Sequence, residues 1–330
     1  MKKTKIVLLS AVLLLSAAQS SFARHAPTQP NTYDGFAAGA RSMAMGSAGA
    51  GVISNESVFY NAAGLSYMTG THAEASAVIR EQSNASPSEV ALVDPSGQGL
   101  TSAIMIKDAG GIMWQSLSNN SISVINPDGS WYKTDTFINA ITVAAGQKSD
   151  NGYSMGLNMT YLYGKIGTSS IDSLNQPYAN VASGNGFTFD FSFIYPVAGN
   201  IYAGVNLQNI AGFMFWDDYN AEQLPFAVRA GLAYMLQGFT LALDYNKHYY
   251  RFGDLNGETF NLGIEEYFNQ YICIRGGIIT DQDFSSENMT YTYGFGFRMK
   301  GYELAFAGQQ FKVNDQSSLK YMLTFSASVY

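Results

Sequence analysis

Apolar and polar residues alternate along most of the chain after residue 70. In 153–163, Tyr, Met or Leu occupies every second position, with Ser154, Gly156, Asn158 and Thr160 between them. The segments 187–195, 226–236 and 291–299 repeat this pattern. Successive side chains of a β-strand point to opposite faces, so each segment predicts a strand with one apolar and one polar face. Each run has about ten residues, enough for a tilted strand to cross a bilayer.

This periodicity predicts fourteen strands, an even number, as in single-chain bacterial barrels. They lie near 71–80, 99–107, 110–118, 136–147, 152–164, 185–197, 199–209, 224–236, 238–247, 258–268, 270–280, 289–299, 301–309 and 318–330. Six connections are tight turns: 108–109, 149–151, 198, 237–238, 269–270 and 300–301. The other seven are longer: 81–98, 119–135, 165–184, 210–223, 248–257, 281–288 and 310–317. Transmembrane barrels have short periplasmic turns and long extracellular loops. We therefore predict an all-β fold, a transmembrane antiparallel barrel at 71–330 with both termini periplasmic.

The polar face of the predicted strands carries charges of both signs. These are Asp190, Arg229, Asp244, Glu265, Arg275, Arg298 and Glu303. The turns place Arg298 opposite Glu303, Glu265 opposite Arg275, and Arg229 diagonal to Asp244, where opposite charges stabilise strand pairing. Two interpretations follow: a polar lumen wall that guides a substrate, or ion pairs that fill the lumen.

The chain begins like an exported protein. Lys2, Lys3 and Lys5 precede an apolar run over 6–18, and Ser21-Phe22-Ala23 has the small-x-small pattern of a cleavage site. We predict a signal peptide over 1–23. The apolar run is shorter than the roughly 20 residues of a spanning helix, so a retained anchor is the weaker alternative.

The composition fits a large barrel better than a soluble enzyme. The chain is 14% aromatic, with 22 Tyr, 21 Phe and 33 Gly, and its single cysteine excludes an internal disulfide framework. Loss of the three leader lysines changes the net charge from −7 to −10, because no acidic residue precedes Arg24. This acidity argues against nucleic-acid binding.

Residues 24–70 do not alternate and are rich in small residues. They include Gly39, Ala40, Arg41, Met45, Gly46, Asn61, Gly64 and Leu65. Small residues let a backbone pack closely in a confined space. A fourteen-stranded barrel is too wide for wall side chains alone to fill. We predict that this segment is a lumen plug, or hatch; the alternative is a disordered leader.

The sequence resembles the FadL-like outer-membrane barrels. The runs GARSMAMGSAGAG at 39–51 and FYNAAGL at 59–65 are similar to that superfamily's N-terminal signature, with Ala62 in place of its proline. Within the superfamily the chain looks most like the PorV/PorQ branch. The residues that carry this likeness are 208–210, 224–225, Arg229, Gly231, Tyr234, 260–263, 266–269, Arg275, Gly277 and 293–297.

The resemblance implies two functions. FadL-like proteins are channels for fatty acids and other hydrophobic compounds, with an N-terminal hatch. PorV/PorQ-like members bind exported proteins in type IX secretion and present them to the translocon. The resemblance favours the second, whereas composition and spacing do not separate the two. A third hypothesis is a structural barrel or passive porin. The expected partners are outer-membrane lipid with either exported proteins or hydrophobic small molecules.

The fourth long connection is the best candidate for a partner or substrate site. It contains Ile210, Phe213, Met214, Phe215 and Trp216. Exposed apolar side chains in a loop indicate a docking surface. The alternative is that they fold over the barrel mouth or join an aromatic girdle.

No pattern in the chain indicates catalysis or a cofactor. His25, His72 and His248 are scattered without metal-ligand spacing. Cys273 has no evident basic partner and is expected to be a small buried side chain. We therefore predict a protein that is not an enzyme and needs no cofactor.

Overall fold

The computed structural model describes residues 26, 37–83, 92–94, 99–125, 129–172, 174, 176–249, 256–284, 289–313 and 316–329. The predicted signal peptide, His25 and Tyr330 lie outside these residues. In the described part, no helix has the length and apolar character needed to cross a membrane.

Fourteen long strands form one closed antiparallel barrel, which confirms the predicted fold class. They are β1 (Thr71–Ser83), β3 (Gly99–Lys107), β4 (Gly110–Ile125), β5 (Trp131–Lys148), β6 (Ser154–Ile171), β7 (Pro177–Ala198), β8 (Ile201–Trp216), β10 (Phe226–Leu236), β11 (Phe239–Tyr249), β12 (Asn256–Tyr267), β13 (Ile272–Thr280), β14 (Thr290–Met299), β15 (Tyr302–Val313) and β16 (Gln316–Val329). Pairing of β16 with β1 and of β8 with β10 closes the ring. Two short strands lie off the ring path: β2 (Leu92–Asp94) pairs with β4, and β9 (Glu222–Gln223) pairs with β8.

Several strands continue into segments that the sequence predicts as loops. The ladder between β4 and β5 reaches Ile125 and Trp131, and that between β6 and β7 reaches Ile171 and Pro177. The loop predictions for 119–135 and 165–184 are therefore wrong over most of their length. The prediction for 310–317 is also wrong, because β15 and β16 pair as far as Val313 and Gln316. Hydrogen bonding between neighbouring strands continues these hairpins past the point where outward apolar residues stop.

Inward and outward side chains differ as a membrane barrel requires. On β6, Met155, Leu157, Met159 and Tyr161 are exposed on the outer surface, whereas the residues between them are buried. The outward residues of β7 are apolar from Phe187 to Val197 and polar at Asn185 and Ser183. An outward band of about ten residues per strand matches the hydrocarbon thickness of a bilayer.

The two ends of the barrel differ. The end that carries the connections 108–109, 149–153, 199–200, 237–238, 268–271 and 300–301 is called the short-turn end; the opposite end is called the long-hairpin end. Ahead of β1 lie helix α1 (Ala40–Ala44), helix α2 (Ser57–Tyr60) and a 3-10 helix (Ala62–Tyr67). Together with their connections they make up residues 37–70, named here the N-terminal segment.

Candidate functional site: the lumen and the N-terminal segment

The N-terminal segment contacts the inner wall around most of the ring. Hydrogen bonds join it to side chains on β1, β3, β6, β7, β8, β10, β11, β12, β14 and β16. Most of these bonds involve main-chain groups of the segment, which lacks a regular ladder of its own. Buried backbone N–H and C=O groups need hydrogen-bond partners. Polar side chains on the inward face of the wall therefore supply the hydrogen bonds that a neighbouring strand would otherwise provide.

Asn61 shows how the signature residues position the segment. Its Nδ2 donates to Ala50 O at 2.6 Å and to Phe193 O at 3.1 Å, joining two turns of the segment to β7. Its Oδ1 accepts from Ala63 N at 3.1 Å and caps the 3-10 helix. Leu65, which ends the signature, is fully buried against the inner faces of β3, β4 and β5.

Glycines in the wall leave room for the backbone of the segment. A side chain at Gly204 would clash with Ala50 O, one at Gly263 with Met45 O, and one at Gly277 with Gly46 N. Gly46 itself has φ 62°, in the left-handed region, and a Cβ there would lie 2.8 Å from Leu262 O. The segment and the wall therefore fit together as main chain against main chain.

Replacing Gly277 by alanine should lower the free energy of unfolding by about 1–3 kcal/mol, because the added methyl group overpacks against the segment. The neighbouring Gly276 is the matched control. Its added methyl group would find no atom closer than 3.8 Å, so Gly276→Ala should leave stability nearly unchanged. Urea unfolding of both variants in the same detergent measures the difference. Equal stability of the two would show that the segment does not pack where the structure has it.

A chain of five charged side chains joins the segment to β12–β15 at the short-turn end. Arg41 donates to both carboxylate oxygens of Glu265, at 2.9 and 2.7 Å. The Nε of Arg275 donates to Glu265 at 2.6 Å, and its Nη2 donates to Glu303 at 2.6 Å. Arg298 completes the chain on Glu303. Glu265 lies opposite Arg275 and Arg298 opposite Glu303 in the ladders, as the sequence predicts. The proximity of Glu265 raises the pKa of Arg41 despite its burial.

A second charged pair holds the middle of the segment. Asp244 Oδ2 accepts from Gly49 N at 2.7 Å and from Ala50 N at 2.8 Å. The Nη1 of Arg229 donates to Ser47 O at 2.9 Å and lies 3.8 Å from Asp244. In the ladder Arg229 faces Asn246 and Gly231 faces Asp244, the predicted diagonal arrangement. These two charges bind the segment as well as each other, a role that neither interpretation from the sequence includes.

Cavities lie on both sides of the segment. Towards the long-hairpin end is a cavity of about 220 Å³. Apolar residues line part of it, among them Val58, Phe59 and Leu162, while Asn158 and Asp190 contribute polar groups. Towards the short-turn end, a cavity of about 490 Å³ is lined by charged residues that include Arg41, Glu56, Glu74 and Arg298. Residues of α2 line the first cavity, and residues 53–56, which precede α2, line the second.

The five residues of the predicted docking loop lie on strand β8, so the loop prediction is wrong. Alternation divides them between two faces. Met214 and Trp216 are buried inside the barrel, in an apolar cluster with Ile138, Leu162 and Ile166. Ala26 packs against the same cluster. Ile210 and Phe215 are exposed on the outside, where the rings of Phe213 and Phe215 lie 6.2 Å from that of Phe187. The outward set has the character of an aromatic girdle.

Three further residues singled out in the sequence are placed by the structure. His72 is buried and contacts Ser328 Oγ and Thr69 O. His248 lines the cavity at the long-hairpin end, far along the chain from His72. Cys273 is fully buried on the inward face. Within the described residues, no group of three or more His, Cys, Asp and Glu side chains could hold a metal ion.

Sequence reasoning missed Glu56 and Glu74, which are both buried where the segment meets β1. A signal for Glu74 exists, because it alternates with His72 and Ser76 on the inward face of the first strand. No periodicity marks Glu56, which lies in the irregular part of the chain. Burial raises the pKa of the Glu56 carboxyl, and Arg41 offsets only part of this rise.

The fold is that of hydrocarbon channels of known structure. The chain superimposes on the Ralstonia pickettii toluene transporter TbuX with a TM-score of 0.66 and 12% identity, over 90% of this chain and 99% of that one. The Pseudomonas putida toluene transporter TodX matches with a TM-score of 0.63 and 11% identity, over 90% and 99%. A Pseudomonas aeruginosa FadL homologue matches with a TM-score of 0.61 and 9% identity, over 94% and 100%.

These matches confirm the FadL-like fold that the signature residues implied, and they do not single out the PorV/PorQ branch. At such low identity they establish the fold alone. No family model matches the sequence, and neither does any curated protein.

Proposed function

We propose that this protein is an outer-membrane channel for small hydrophobic compounds of a Gram-negative bacterium. The observation that carries the proposal is the cavity at the long-hairpin end, which is lined by the barrel wall and by Val58, Phe59 and Tyr60 of the segment. The structures with the same fold include two toluene transporters and a monoaromatic hydrocarbon channel, CymD. A uniformly apolar outer band supports the membrane location, with the short turns periplasmic.

The cavity limits what the channel would hold. A volume of about 220 Å³ is below the 300–1,000 Å³ usual for drug-sized ligands, so it suits a single aromatic ring with short substituents. Apolar side chains of α2, Leu162 and Leu224 would contact the body of the ligand. Asn158, Thr160 and Asp190 would accept or donate hydrogen bonds to one polar group. We propose that the segment acts as the plug between this cavity and the short-turn end, and that residues 24–70 form the corresponding unit.

Filling the cavity tests the proposal. Ala140 is buried and lines the cavity, so Ala140→Phe should weaken the retention of radiolabelled toluene by the barrel in nanodiscs at least tenfold, about 1.4 kcal/mol. Ala145 lies on the same strand and faces outward, which makes Ala145→Phe the matched control. Equilibrium dialysis measures both. If the unmodified barrel retains no toluene or substituted benzene, the channel proposal fails.

The secretion role implied by the PorV/PorQ resemblance remains a prediction of the sequence, and the structural matches favour the channel. A translocon subunit or exported protein that co-purifies in stoichiometric amount would reverse this order. We also keep the prediction that the protein is not an enzyme, in line with the transport channels whose fold it shares.

A further inference from the structure

Two carboxyl groups meet at the contact between the N-terminal segment and β1. Glu56 is 2% exposed and Glu74 is 9% exposed. A methyl group placed on Gly39 would clash with the Oε1 atom of each, so the two carboxyl groups are near neighbours across one glycine. Glu56 belongs to the segment and Glu74 belongs to the wall.

Among the described residues, neither carboxyl group forms an ion pair with a cation of its own. Glu56 accepts from Ser42 N at 3.3 Å, and Glu74 accepts from Asn55 Nδ2 at 3.4 Å. The Oε1 of Glu74 has no hydrogen-bond partner among the described residues. Arg41 is the nearest guanidinium, and it is bonded to both oxygens of Glu265.

The other charged and titratable groups around the pair come from the segment and from several strands of the wall. On the segment there are Arg41 and the Tyr60 hydroxyl. The wall contributes His72 on β1, Glu265 on β12, Arg275 on β13, and Glu303 on β15. Arg275 is shared between Glu265 and Glu303. Arg298 on β14, which lines the same cavity, also pairs with Glu303. The three arginines therefore carry one charge more than Glu265 and Glu303, enough to balance one ionised carboxylate of the pair and not both.

Two adjacent buried carboxylates do not both ionise readily, because each charge disfavours the other and burial removes most of the water that would screen them. One proton on the pair therefore favours the folded arrangement, because it removes one of the two charges. Burial raises the pKa of Glu56, in agreement with this arrangement. A carboxyl group whose pKa is higher in the folded state stabilises that state at low pH. This contribution is lost as the pH rises above the ordinary carboxyl range towards the raised value.

The location of Glu56 connects this pair to the cavity. Glu56 immediately precedes α2, whose Val58, Phe59 and Tyr60 line the cavity at the long-hairpin end. Ser54, Asn55 and Glu56 line the charged cavity at the short-turn end. Movement of Glu56 away from β1 would therefore shift residues that line both cavities.

We propose that Glu56 and Glu74 form a proton-dependent latch that holds the N-terminal segment against β1. When the proton on the pair leaves to solvent in the charged cavity, repulsion between the two carboxylates releases residues 52–60 from the wall and joins the two cavities. The effect of the latch on transport rests on the proposed channel function, whereas the latch itself does not.

Hydrogen–deuterium exchange of the full barrel in nanodiscs tests the latch. Peptides covering residues 52–60 should lose at least tenfold in protection between pH 6 and pH 9, relative to peptides of β13 in the same sample. Glu56→Gln and Glu74→Gln each leave a neutral amide beside one carboxyl group, so both variants should keep their protection at pH 9. Glu258→Gln, at a more exposed ion pair with Lys247 near the long-hairpin end of the barrel, should behave like the unmodified chain.

Two results would overturn the latch. The first is that the unmodified chain shows the same protection over 52–60 at both pH values. This measurement does not depend on whether any variant folds. The other is a loss of protection in Glu56→Gln and Glu74→Gln that equals that of the unmodified chain. Toluene retention is measured in parallel at both pH values. If exchange depends on pH and toluene binds at neither, the latch stands while the channel function fails.

Discussion

Replacing Glu265 by glutamine should lower the free energy of unfolding by about 3–5 kcal/mol, the usual cost of removing one partner from a buried ion pair. Glu265 receives hydrogen bonds from Arg41 and Arg275, and the Arg275 side chain is fully buried. Glutamine keeps the shape of the residue and removes its charge, which leaves two guanidinium groups sharing too little negative charge. Urea unfolding in detergent, followed by tryptophan fluorescence, measures the loss.

The Lys247–Glu258 pair provides the control for this prediction. Its carboxylate also lies next to a cation on a neighbouring strand, but the pair is more open to solvent. Glu258→Gln should therefore have little effect on stability, because water replaces the lost interaction. If Glu265→Gln unfolds at the same urea concentration as Glu258→Gln, the charged chain at the short-turn end does not contribute to stability.

A lysine in place of Leu157 should cost about 2–4 kcal/mol of stability in a phospholipid bilayer, as charges do at the middle of the lipid-facing band of a barrel. Leu157 is 63% exposed on the outer surface, between Met155 and Met159. The measurement is reversible urea unfolding in vesicles.

Val181 supplies a matched control, since it is 65% exposed and faces outward on the neighbouring strand. It lies beyond the polar residues Ser183 and Asn185 and thus outside the apolar band. Val181→Lys should therefore change stability by only about 0.5 kcal/mol, as at an ordinary surface position. Equal losses at both positions would contradict the placement of the membrane around 155–161.

The strands were predictable because each has one face towards lipid and one towards the lumen. Apolar and polar residues therefore alternate with a period of two along the sequence. The same alternation gave wrong loop boundaries, because several strands continue beyond the residues whose outward side chains are apolar. Near the end of β8, Phe213 and Phe215 face outward, whereas Met214 and Trp216 face inward. Because both faces are apolar there, the polar–apolar alternation disappears and the sequence predicted a loop.

The partners of the N-terminal segment could not be predicted in the same way. The cross-strand pairs of Glu265 with Arg275 and of Arg298 with Glu303 follow from the position of a turn. The contacts of Arg41 with Glu265 and of Asn61 with Phe193 O depend instead on the path of an irregular segment through a closed ring. Sequence separation of more than a hundred residues and the absence of a period leave no local signal for them.

The fit between the segment and the wall glycines has a consequence for how the sequence can change over time. At Gly204, Gly263 and Gly277 the wall meets main-chain atoms of the segment. Main-chain atoms are the same for every amino acid, so many substitutions in the segment would preserve these contacts. A substitution at any of the three glycines would not. We expect homologues to retain glycine at these three wall positions even where a segment residue opposite them, such as Ala50 or Met45, has changed.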